Sequence, residues 1–188
     1  MDSDSDSGVA VSRRQLLAGL GGVGILSASA WLSTRTPSDA DNGLPLEIET
    51  IDARGSTSGT ARLPATDTVT VIDLFATWCT PCVEQMESLT PLTTEYGDDP
   101  AVTFVSVTNE HIGETLTRAD IRQWWQRHGG DWTVGLDPNS DLMTALNASR
   151  LPYVAISDAS GTITWRHDGV ATAETLRSNI ETALGNDG

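Results

Sequence analysis

Residues 68–76, TVTVIDLFA, carry apolar side chains at odd and even positions alike, in a run too short for an ordinary helix. A strand that is apolar on both faces belongs in the middle of a sheet with cover on each side. AVTFVSVT, residues 101–108, reads the same way, and a helix is expected between the two, starting at the cysteines of TWCTPCVEQM. Beyond the second strand, TRADIRQWWQRHGG sets Ile121, Trp124, Trp125 and His128 at helical spacing; Thr117 with Asp120 offers an N-terminal cap and Gly129-Gly130 a stop. WTVGLD then reads as a short strand and NSDLMTALNAS as a short helix. PYVAISDASGTITWRHDG reads as two strands turned by Asp158 to Gly161, and an amphipathic helix from Thr172 to Leu184 follows. Ahead of all these, LPLEIETIDARG alternates loosely through Leu46, Ile48 and Ile51, and the Gly-rich GSTSGTARL suggests a hairpin return covering a sheet edge. The order predicts an α/β sandwich with a mixed central sheet, helices on both faces and an antiparallel edge hairpin. No repeat or second domain is visible.

Composition narrows the functions. The 188 residues are 38% apolar, enough for one domain with a real core plus extensions. The formal charge of −15 sets 26 acidic residues against 11 basic ones, and every basic residue is Arg. Such a surface repels phosphate backbones, which argues against nucleic-acid binding. Acidic residues without Lys, among many Thr, Ser and Ala, resemble the composition of proteins from extreme halophiles, a matter of habitat and solubility rather than activity.

The first 43 residues differ in character. Arg13 and Arg14 precede an uncharged stretch from Gln15 to Ser33, weakly hydrophobic because of Gly19, Gly21, Gly22 and Gly24. This resembles a twin-arginine export signal. Ala28-Ser29-Ala30 offers a cleavage site, whereas the Leu16 to Leu32 run sits at the lower limit for a spanning anchor, so cleavage after Ala30 and retention as an anchor both stay open. Residues 1–33 are thus read as signal or anchor, 34–43 as linker and 44–188 as the folded domain. The domain is expected outside the cytoplasmic membrane, on its outer face or secreted. No Cys follows the apolar run, so a lipid anchor on cysteine is excluded.

Two residues separate Cys79 from Cys82, the only cysteines of the chain. That spacing suits a small disulfide, half of a metal site or a haem-attachment motif. Haem attachment fails because Val83 stands where a His is needed, and a peroxiredoxin pattern fails at Ile72 and Ala76. A purely structural disulfide would close a very short loop and add little stability. A thiolate is the nucleophile of disulfide exchange, and a cysteine at a helix N-terminus meets unpaired N–H groups that favour its charge. Cys79 occupies that place, and Cys82, one turn deeper, is placed to attack a mixed disulfide on Cys79 as the resolving thiol. Pro81 suits the helix start, where its missing N–H costs nothing. Asp73 sits among Val71, Ile72, Leu74 and Phe75, which makes exposure difficult; a buried carboxyl without a partner would have a raised pKa.

Asp73, FATWCTPC and the later RLPYV together resemble the thioredoxin superfamily, and within it the exported TlpA/ResA-like branch. The leading hairpin, the stretch from Asn109 to Trp132 and LPYVAISDASGTI extend the likeness over residues 44–184. The resemblance implies a thiol:disulfide oxidoreductase. Asp73 would then accept the proton of Cys82, and Pro152 would be the cis-proline beside the cysteines. Leu151 would lend its backbone to an extended substrate, with Trp78, Thr80 and Pro81 completing the docking surface. It further implies a monomer with no cofactor besides the redox-active pair, acting on protein thiols and disulfides such as those of apocytochrome c or copper-site proteins and re-reduced by a membrane electron donor. Thr80 and Pro81 bring no cationic side chain to the thiolate, which points to a reductant. The chain departs from the family pattern in the Thr-Pro dipeptide and in Glu87, which replaces a common proline; Pro91 is a candidate for a helix kink.

The competing reading is a non-catalytic copper-delivery protein, because a thiol pair suits Cu(I). His111, His128 and His167 are the only imidazoles; His128 ends an apolar stripe and His167 lies in a hairpin, so packing or solvent explains them as well as ligation, and no metal site is assigned. The six tryptophans read as core and interface material.

Overall fold

The structure is a computed structural model that describes residues 43–185. The expected export segment and most of the linker lie outside these residues. Eleven elements follow one another: β1 (Leu46–Thr50), β2 (Gly59–Leu63), β3 (Val69–Phe75), α1 (Thr80–Tyr96), β4 (Val102–Thr108), α2 (Arg118–Arg127), β5 (Thr133–Leu136), α3 (Asp141–Ala145), β6 (Tyr153–Ser157), β7 (Ile163–Asp168) and α4 (Ala173–Gly185). The strands form one sheet in the order β2-β1-β5-β4-β3-β6-β7. β3, β4 and β5 are parallel; β1, β6 and β7 join antiparallel, as does β2 on the outer edge. This is the thioredoxin-like α/β architecture with a mixed sheet.

β3 is central because it can be: all seven of its residues are buried. Strand alternation divides them between two cores. Val71 and Phe75 join Phe104, Val154 and Ile156 against α1, α2 and α4, while Ile72 and Leu74 join Val105, Val107 and Ala155 against α3. Each fully buried aliphatic or aromatic side chain contributes about 1.5–3 kcal/mol. Asp73 lies between Val71 and Phe75 and so faces the core that α1 covers.

α1 stays one helix from Thr80 to Tyr96 with Pro91 inside it. α2 starts as expected: Thr117 and Asp120 form a reciprocal capping box. α3 differs from a helix capped by its own Ser or Asn. Ser140 makes no capping bond there, and the buried Asp137 carboxylate accepts instead from the N–H groups of Asp141, Leu142 and Met143. Among the described residues no helix is long and apolar enough to cross a membrane.

The β1–β2 hairpin reaches well beyond its own edge. Ser56 Oγ donates to Ile51 O at 2.8 Å and accepts from Val134 N–H at 3.1 Å. Arg122 Nε donates to Asp52 O at 2.8 Å, and Trp125 Nε1 to Arg54 O at 2.9 Å. Gly55 permits this approach: its φ is +73°, and a Cβ there would lie 2.0 Å from the backbone carbon of Asp131.

Candidate active site

β3 ends at Phe75, and a turn closed by Cys79 N–H on Ala76 O at 3.1 Å delivers the chain to α1. Cys79 is the N-cap of that 17-residue helix, in extended conformation and without a side-chain cap bond. Cys79 and Cys82 form a disulfide, their Cα atoms 5.3 Å apart. Both are covered, at 4% and 1% exposure, whereas Trp78 beside them is 72% exposed. Thr80 and Pro81 are also exposed. The first turn of α1 contains no acidic residue, so nothing there opposes the positive end of the helix macrodipole at the Cys79 sulfur.

Antiparallel pairing sets the second wall. Leu74 faces Tyr153 across β3 and β6, so continuing the register brings Pro152 and Leu151 alongside the turn that leads to the cysteines. The Leu151–Pro152 peptide bond is cis. Pro152 O accepts from Gly169 N–H at 2.9 Å, whereas the Leu151 backbone has no hydrogen-bond partner among the described residues. Leu151 is half-buried against the core that contains both cysteines.

Asp73 is fully buried on the same face. Ser106, its direct neighbour in the parallel β3–β4 register, donates Oγ–H to Asp73 Oδ2 at 2.8 Å. Oδ1 is buried and has no partner. Burial pushes the Asp73 pKa up to about 7, and the Ser106 hydrogen bond opposes the rise. The carboxyl thus has a partner after all, on one oxygen only. Trp132 Nε1 in turn donates to Ser106 Oγ at 2.9 Å.

Three side chains at this site escape a reading by sequence pattern. Ser106 is a polar residue inside a strand buried on both faces, a place that demands a hydrogen-bond partner, and that demand was a usable signal. Trp132 is concealed by its ability to serve as core. Glu110 has no local signature at all. It sits just past β4, where both its oxygens reach back: Oε2 accepts from Thr77 N–H at 2.7 Å and Oε1 from Thr77 Oγ1 at 2.8 Å. A further buried residue, Gln85 of α1, exchanges hydrogen bonds with Ala171 in both directions and ties α1 to the start of α4.

The histidines stand apart from the thiols in their contacts. His128 ends α2 with its ring 4.7 Å from Trp124, and burial lowers its pKa; His167 stacks on Trp165. Among the described residues no three His, Cys, Asp or Glu side chains gather as a metal would require.

The family model described as Redoxin matches residues 47–184. Several solved structures share the fold. StoA from Bacillus subtilis is 18% identical, over 72% of this chain and 95% of its own, with a TM-score of 0.59. The exposed lipoprotein thioredoxin of Streptococcus pneumoniae is 22% identical, over 74% and 99%, with a TM-score of 0.58. A putative thiol:disulfide interchange protein DsbE from Chlorobium tepidum is 21% identical, over 76% and 100%, with a TM-score of 0.58.

Proposed function

Because the chain belongs to the Redoxin family, as a thioredoxin-like thiol:disulfide oxidoreductase, we propose that it works outside the cytoplasmic membrane, reducing protein disulfides through Cys79 and Cys82. The observation that carries this reading is the disulfide at the N-cap of α1, on the face where Asp73 is buried with one oxygen unpartnered. In the reduced protein the Cys79 thiolate, favoured by the helix terminus, attacks a substrate disulfide; one substrate sulfur leaves as a thiolate and the other is held in a mixed disulfide. Asp73 takes the proton of Cys82. The Cys82 thiolate then attacks Cys79 Sγ, the Cys79–Cys82 bond forms, and the second substrate thiolate departs. Two electrons have passed to the substrate, so a membrane electron donor must return two to the protein.

Substrate docking falls to the surface around the covered sulfurs: exposed Trp78, Thr80 and Pro81 on one side, and the unpaired backbone of Leu151 before Pro152 on the other. Placement outside the membrane is supported by Arg13 and Arg14 with the apolar run after them, and by the fold shared with the pneumococcal exposed lipoprotein. The reductant direction rests on the absence of a cationic residue between the cysteines and at the start of α1. No bound cofactor is needed, since the disulfide itself stores the electrons, and the working unit is a monomer. Exported proteins with close cysteine pairs, such as apocytochrome c or copper-site proteins, are the substrates this reading favours.

Cys79→Ser is expected to abolish reduction of a disulfide reporter such as insulin, whereas Cys82→Ser is expected to accumulate mixed disulfides detectable by mass spectrometry. Full activity in both variants would refute the assignment. Capture by Cys82→Ser in cells identifies the substrate, and tight stoichiometric Cu(I) binding dependent on a histidine would favour copper delivery instead.

A further inference from the structure

The resolving step needs one defined oxygen to receive a proton, and the hydrogen bonds around Asp73 determine which it is. An indole N–H can only donate, and a hydroxyl has one hydrogen to give. Trp132 Nε1 donates to Ser106 Oγ at 2.9 Å, which commits the single Ser106 hydrogen to Asp73 Oδ2 at 2.8 Å. The chain of donors therefore runs one way, from Trp132 through Ser106 to the carboxyl. Asp73 Oδ1 is left buried and without a partner. Neither donor is free to wander. Ser106 is fixed by the strand register opposite Asp73, and Trp132 stands edge-on to Trp125 with ring centroids 4.7 Å apart.

Resting on the reading of Asp73 as proton acceptor, we infer that Ser106 and Trp132 are positioning residues for the resolving step, pinning Oδ2 so that Oδ1 alone takes the proton of Cys82. The proton leaves Cys82 Sγ for Asp73 Oδ1, the Cys82 thiolate displaces the substrate sulfur from Cys79, and the electron count of the exchange is unchanged. Donation to the carboxyl also favours its ionised form, the one able to act as a base. Glu110, the other carboxylate at this site, has both oxygens occupied by Thr77. Among the described residues the buried ionisable side chains are Asp73, Asp137, Tyr153 and the two cysteines. Asp137 caps α3 and Tyr153 donates to Leu146 O, both on the opposite side of the sheet.

The test compares the full-length protein with Ser106→Ala, Ser106→Thr, Trp132→Phe and Asp73→Asn. The Asp73 carboxyl is followed by carbon NMR in the reduced protein, its signal assigned by its loss in Asp73→Asn, and release of a preformed mixed disulfide is timed against pH. Ser106→Ala is expected to move the Asp73 titration to higher pH, to shift the pH at half-maximal release in the same direction and to slow release several-fold near neutrality. Trp132→Phe should move both the same way by less, Ser106→Thr should restore both, and the double variant Ser106→Ala with Trp132→Phe should match Ser106→Ala alone. An unmoved titration in both Ser106→Ala and Trp132→Phe overturns the inference, as does a Trp132→Phe effect that persists without the Ser106 hydroxyl. Asp73→Asn separates the two levels: release slowed by about 10²-fold supports the base itself. Wild-type release in Asp73→Asn removes the proton-acceptor reading and the positioning role with it, even where the titration shows the donor chain to exist.

Discussion

Glu110 holds Thr77 at both ends, accepting its backbone N–H at 2.7 Å and its hydroxyl at 2.8 Å across the gap between neighbouring strand ends. Parallel pairing of Phe75 with Thr108 makes this possible, because each chain leaves the sheet at the same level. Thr77 is two residues before Cys79, so the carboxylate braces the turn that presents the nucleophile. Glu110→Ala is expected to lower stability by about 1–3 kcal/mol and to slow disulfide reduction several-fold, with Glu110→Gln between the two. Urea titration with single-turnover kinetics checks this; unchanged values for both would make the brace ornamental.

Asp73 makes the fold pay for its base. A carboxyl whose pKa rises from 3.8 unfolded to about 7 folded remains protonated in the native state after the unfolded chain has ionised. Its contribution to stability is fully present below about pH 4 and is lost as pH climbs through about 7. Asp73→Asn removes that loss, so the variant should be more stable than wild type at pH 8, by up to about 4 kcal/mol. The gain should shrink as pH falls toward 4. Denaturant unfolding of the oxidised proteins at several pH values measures it; an equal gain at every pH would assign the effect to packing.

Gly55→Ala tests the seat of the hairpin. The added methyl would meet the Asp131 backbone at 2.0 Å on a residue already at φ +73°, and backbone gives way less readily than a side-chain tip. A stability loss of at least about 2 kcal/mol is expected, read as a lower denaturation midpoint, together with altered fluorescence from Trp125 and Trp132 nearby. A neutral substitution would show that this contact is loose.

If Arg13 and Arg14 direct export by a twin-arginine route, which carries folded cargo, replacing both with Lys is expected to retain a folded, soluble protein inside the cell. Fractionation followed by mass spectrometry of the exported wild type decides between cleavage after Ala30 and retention of residues 16–32. Continued export of the Lys pair would show that another signal operates.

Much of the fold is legible because burial on two faces leaves few choices. TVTVIDLFA and AVTFVSVT place the central strands, the Thr117–Asp120 box fixes the start of α2, and the position of the cysteines at a strand-to-helix turn follows from the same patterns. The burial of Asp73 is legible from its neighbours. Its partner is not, because Ser106 meets it only through a register between strands 33 residues apart. Glu110 depends in the same way on where two strands end. Asp137 escapes notice because it caps α3 from outside the helix, before the N-cap residue Ser140, which makes no capping bond of its own. Sequence periodicity reports what a residue avoids, which is water; it does not report the side chain it meets across the sheet.

The contacts of the hairpin with α2 bear on how this domain could be recombined with relatives. Arg122 and Trp125 end on carbonyls of the β1–β2 connection, Arg118 pairs with Glu49 at 2.6 Å and Arg54 with Asp131 at 2.7 Å. The N-terminal hairpin and the stretch from Asn109 to Trp132 are therefore one module written in two places. A chimera that replaces the stretch from Asn109 to Trp132 alone removes the Trp125 donor to Arg54 O, and one that replaces the hairpin alone takes Glu49 and Arg54 from their partners Arg118 and Asp131. The two segments must be inherited, or grafted, as a pair.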